Sequence, residues 1–110
     1  MKKTALLAIV VLLTIGCAVH SYRSEFEFAG KLAREGLWRE AVFRLQKARA
    51  QGKDSAALHN NLAVALEGLG RWDEARGEYE LALKREPGNA HIRSNYDRFK
   101  KNQEKNADEK

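Results

Sequence analysis

Apolar residues recur along this chain every three or four positions, in five blocks separated by glycine or proline. That spacing lines one face of an α-helix, whereas a strand would need alternation. The first block predicts a helix over about 21–35, with Phe28 and Leu32 one turn apart. Gly36 closes it, because glycine takes the left-handed conformation that ends a helix. The second predicts a helix over 38–50, with Ala41, Leu45 and Ala48 on one stripe. Gly52 breaks the chain there, and Asp54 or Ser55 is placed to accept the unpaired amides of the next helix. A third helix over 56–69 carries Leu58, Leu62, Leu66 and Leu69 and ends at Gly70. A fourth over 72–85 carries Ala75, Tyr79 and Ala82 and stops before Pro87, which pushes its predecessor out of helical geometry. Asn89 is a cap for a fifth helix bearing Ile92, Tyr96 and Phe99. From Lys100 to Lys110 the one apolar residue is Ala107, so 100–110 reads as a charged, flexible tail. No run alternates and no Asn-Gly or Asp-Gly turn occurs, so the chain is predicted to be all-α.

Two of these blocks are copies. Ala29, Leu32, Gly36, Trp38, Glu40, Ala41 and Ala48 are repeated as Ala63, Leu66, Gly70, Trp72, Glu74, Ala75 and Ala82, always 34 residues later. A fixed period of that length marks a helical array, in which each unit buries its apolar face on a neighbour. Chance glycines and alanines in an ordinary bundle would not keep both tryptophans and both glycines in register.

The stretch 56–89 resembles a tetratricopeptide repeat (TPR). The matching residues are Leu62, Ala63, Leu66, Gly70, Trp72, Ala75, Tyr79, Ala82, Leu83 and Pro87. Ala63 and Ala75 are small where the two helices of a hairpin cross, and Trp72 and Tyr79 are large where successive hairpins meet. The stretch 22–55 is a degenerate copy, with Lys53 at the proline position and Arg49 where Leu83 stands. Asn95-Tyr96 lies 34 residues after Asn61-Leu62, so 90–99 reads as a capping half-repeat. The architecture expected over 22–99 is two helix-turn-helix hairpins and a closing helix, a short α-solenoid.

The resemblance also implies a site. In TPR proteins the first helix of each hairpin lines a concave groove that holds a peptide or a partner domain. The corresponding residues here are Arg23, Phe26, Gly30 and Arg34, then Asn60, Asn61, Val64 and Glu67, then His91, Asn95 and Arg98. Asn60, Val64 and Glu67 share a helical face, as do His91, Asn95 and Arg98. An asparagine there can pair with both the amide and the carbonyl of a peptide backbone, and an arginine can hold a carboxylate. The two-carboxylate clamp of chaperone-binding TPR domains is met only at Asn61, since Phe26 and Gly30 replace its lysine and asparagine. Chaperone-tail binding is therefore not expected.

The N-terminus adds a location. Lys2 and Lys3 precede the apolar run 5–15, and Gly16-Cys17-Ala18 follows. A basic start, a short apolar stretch and small residues describe a signal peptide (1–16), and the run is shorter than the roughly 20 residues a spanning helix needs. Gly16-Cys17 resembles the lipobox of bacterial lipoproteins, in which the cysteine is acylated and becomes the new N-terminus. Thr14 stands where that family usually has leucine, and cleavage after Ala18, releasing a soluble periplasmic domain, is the competing outcome. Acylation of Cys17 would leave 17–21 as a tether on the periplasmic side of the cell envelope, and Ala18 at the next position points to the outer membrane. Removal of Lys2 and Lys3 leaves eighteen basic against fifteen acidic residues, so part of the formal +5 belongs to the leader.

Other chemistry is thin. Cys17 is the single cysteine, so no internal disulfide forms. His20, His59 and His91 share no ligand spacing, and His59 is expected to pack between helices; no metal or cofactor is predicted. Glu78 and Glu80 read as a solvated helix face. No Ser/His/Asp or Cys/His set and no phosphate-cradling loop is present, so an enzyme is not expected. Interspersed acids and export argue against nucleic acid. The expected function is an envelope-located scaffold or adaptor for a protein or peptide partner. Its rivals are a membrane-surface structural lipoprotein with an idle groove, or an accessory subunit of an envelope secretion or enzyme complex. Arrays usually need about three repeats, so two and a half suggest added stability from a partner or from homo-oligomerisation.

Overall fold

The computed structural model describes residues 26–109. The proposed leader, Cys17, the 17–21 tether, Arg23 and the start of the first helix lie outside the described residues. Within them the chain forms five helices and no strand. These are α1 (residues 26–34), α2 (Trp38–Ala50), α3 (Ala56–Gly68), α4 (Trp72–Arg85) and α5 (Ala90–Asp108). The boundaries follow the sequence signals. Ser55 Oγ accepts from the Leu58 amide at 3.1 Å and so caps α3, and Asn89 Oδ1 accepts from Ile92 at 3.1 Å and caps α5.

The two glycine turns are copies of each other. Gly36 and Gly70 have φ of 74° and 72°. After each, the next amide reaches back five residues: Leu37 to the Leu32 carbonyl, Arg71 to the Leu66 carbonyl, both at 2.9 Å. This doubly bonded helix end requires a positive φ that other residues rarely take. It joins α1 to α2 and α3 to α4 through the same kind of turn. α2 packs on α3, and α5 packs on both α3 and α4. One apolar core runs through these layers, from Ala29 and Leu32 through Leu45, Leu58, Leu62 and Leu66 to Tyr79 and Phe99. Ala41, Ala63, Ala75 and Ala82 are fully buried, as helix crossings require.

Two sequence expectations need correction. The spacing places Phe28 and Leu32 together on the apolar stripe of α1; Leu32 is buried there, but Phe28 is 44% exposed and Ala29 is buried in its stead. Residues 100–108 were expected to leave the helix near Phe99 as a flexible tail, but α5 continues to Asp108. No glycine or proline interrupts the chain there, and side-chain bonds tie this stretch back to the array. Asn102 Nδ2 donates to Glu67 at 3.4 Å, and Arg76 donates to Gln103.

Candidate functional site

α3 and α5 lie side by side because α5 takes the place a third hairpin's first helix would occupy. Asn60 and Asn95 therefore meet across the seam. Asn95 Nδ2 donates to Asn60 Oδ1 at 3.0 Å, and Asn60 Nδ2 donates to Asn61 Oδ1 at 3.3 Å. His91, one turn before Asn95, stands 3.4 Å from its amide nitrogen. Asn60 is buried, Asn61 and Asn95 are half-buried and His91 is exposed, so the ladder runs from the core to solvent.

Two turns further along α3, a second polar group forms around Glu67. Its carboxylate accepts from the Tyr79 hydroxyl at 3.0 Å and from Asn102 at 3.4 Å, and Arg98 lies 3.6 Å away. Three helices thus converge on one carboxylate. Burial, reinforced by the Glu67 charge, pushes the Tyr79 hydroxyl far above its ordinary range, so it stays a donor. Tyr79 also anchors an aromatic cluster, with ring centres 5.3 Å from Phe99 and 5.6 Å from Tyr96. Trp72 lies 5.9 Å from Phe99.

The structure therefore brings Asn60, Asn61, His91 and Asn95 into one ladder and Glu67 and Arg98 into an adjacent pair. Phe26 and Val64 are half-buried and pack against the core. Arg23 lies outside the described residues.

A third polar group was not anticipated as a network. His59 is buried, as expected for a packing histidine, but both ring nitrogens face carboxylates. Nδ1 is 2.5 Å from Glu78 and Nε2 contacts Asp54. Glu78 is held by Arg49 of α2 at 3.0 Å, and Asp54 is held by Arg85 of α4. Glu78 is consequently no solvated residue: it ties α2, α3 and α4 together. Glu80, by contrast, is exposed as expected, while accepting from Tyr96 at 3.0 Å. A carboxylate only accepts, so both contacts are hydrogen bonds when each ring nitrogen carries a proton. The two carboxylates sit on opposite sides of the ring and cannot share one metal ion. Among the described residues no set of three or more metal-ligating side chains converges, and no buried side-chain nitrogen or oxygen lacks a partner.

Helix pairs joined by matching glycine turns, stacked with a lone helix closing one end, define a helical-hairpin repeat protein. The tetratricopeptide repeat family profile matches residues 32–96, well over half of the chain, and the protein belongs to that family. Proteins of this family are in general non-catalytic scaffolds for contacts between proteins. No curated protein matches the chain.

Proposed function

We propose that this protein is a tethered adaptor, holding a protein or peptide partner on the inner face of α3 and α5 at the bacterial cell envelope. The observation that carries the reading is the Asn60–Asn95 ladder. It sets amide donors and acceptors in a row beside an apolar floor and next to the exposed Arg98. An extended peptide can exchange backbone hydrogen bonds with such a row while Arg98 holds a carboxylate. Attachment through an acylated Cys17, on the periplasmic side and at the outer membrane, is supported by the sequence of the leader.

A photo-crosslinking residue at His91 or at Arg98, in the exported protein, tests the groove against the same residue at Leu81 on the outer face. The expected result is one common partner from the two inner positions and none from Leu81. Equal labelling from all three would remove the groove assignment. Mass spectrometry of the membrane-derived protein tests the anchor; an unmodified N-terminus at Val19 would overturn it and leave the groove intact.

One observation favours a second reading. The ladder and the Glu67 group are already bonded within the chain, as they would be in a structural lipoprotein whose groove is idle. Service as an accessory subunit of an envelope secretion or enzyme complex fits the adaptor reading and differs only in the partner.

A further inference from the structure

The two ends of the array are finished differently. Phe28 stands 34 residues before Leu62 and so holds in the first unit the place Leu62 holds in the second. Leu62 is 1% exposed, within the layer where α2 packs on α3. Phe28 is 44% exposed, and Phe43 beside it 57%. Arg44 lies over both rings, 5.2 Å from the centre of Phe28 and 5.9 Å from that of Phe43, while its Nε donates to Glu40 at 2.9 Å. At the other end α5 turns Ile92 and Phe99 inward and exposes no large apolar side chain.

Charge selects what meets the open end. Residues 26–50 carry six lysines and arginines against three glutamates, whereas residues 51–109 carry ten against eleven acids. Two copies meeting end to end would press like-charged surfaces together, which opposes a dimer through this face. An anionic surface is attracted to it. Aromatic rings flanked by arginine suit the boundary between lipid headgroups and acyl chains, where the rings bury and the guanidinium reaches phosphate. The same hairpin directly follows the leader with its apolar run, so it is the part of the array nearest any bilayer that the leader engages.

We propose that the α1–α2 end docks on an anionic phospholipid surface, with Phe28 and Phe43 at the headgroup boundary and Arg39 facing the phosphates. This contact is separate from acylation of Cys17 and from the groove on α3 and α5. It stands the array end-on, with α5 pointing away from the bilayer.

The test is amide hydrogen exchange of the full chain bound to vesicles of phosphatidylglycerol mixed with phosphatidylcholine, against phosphatidylcholine alone. Lys2 and Lys3 of the leader also favour the anionic vesicles, so the leader's share is read from the double serine variant below, which keeps the leader unchanged. Exchange across 26–44 slows several-fold on the anionic vesicles only, and high salt reverses it. Arg39→Gln reduces that protection about fivefold, the weight of one cation near such a surface. Phe28→Ser with Phe43→Ser abolishes it while circular dichroism is unchanged. Equal protection on both vesicle types, or protection that survives the double serine variant, would overturn the proposal. Protection in free solution that rises with protein concentration would assign the face to a second copy. Protection that appears only with an acidic protein would assign it to that partner.

Discussion

Gly68 lies beneath the indole of Trp38, so near that a β-carbon at position 68 would stand 2.4 Å from Trp38 Cδ2 and 2.6 Å from Cε2. A glycine inside a helix costs about 1 kcal/mol relative to alanine, and here the close approach of the ring explains its presence. Gly68→Ala is expected to destabilise the protein by about 1–2 kcal/mol, because overpacking outweighs the gain in helix propensity. With Trp38→Ala as background the same change becomes stabilising by about 1 kcal/mol. Urea unfolding of the four proteins checks the change of sign.

Phe99 is fully buried and touches Trp72, Tyr79 and Tyr96. Phe99→Ala is expected to cost about 3–5 kcal/mol, a large share of the stability of a small domain. Thermal unfolding would show the loss, and exchange in α5 would rise before that in α3. A loss below about 1 kcal/mol would mean that α5 does not close the core.

Asn95→Ala removes the donor to Asn60 Oδ1 and leaves that buried oxygen without its cross-helix partner. The expected cost is about 1–3 kcal/mol. Hydrogen exchange should quicken in α5 and leave α2 unchanged. Uniform quickening would instead mean that the seam carries the whole fold.

The hydrogen bond from His59, strengthened by Arg85, holds the Asp54 carboxyl below its ordinary value of 3.8. A depressed carboxylate contributes stability above that value and loses it as pH falls through the folded-state value. The melting temperature of the natural protein should therefore fall more between about pH 5 and pH 3 than that of Asp54→Asn. Parallel acid limbs would show that the contact does not bear on stability.

The sequence disclosed the helices because glycine, proline and capping residues punctuate it, and because the repeat fixes which positions face a neighbour. The faces of α3 and α5 were legible for the same reason: spacings of three and four place Asn60 and Asn95 on helix faces that turn out to meet. Phe28 was misjudged because helical spacing marks an apolar stripe without saying whether another hairpin lies over it. The His59 group was missed because Arg49, Asp54, Glu78 and Arg85 come from different elements and share no local motif. The length of α5 was missed because a polar sequence signals no core contact, yet Asn102 and Gln103 are held by the neighbouring helices.

The convergence of Tyr79, Arg98 and Asn102 on Glu67 bears on how quickly the proposed groove would exchange an occupant. A ligand meets side chains that are already ordered, so little conformational entropy is lost on arrival. It must also break bonds that the free protein makes with itself, so each new hydrogen bond is a substitution rather than a gain. Such a surface admits ligands readily and releases them readily. Partners that visit and leave suit it better than partners that stay.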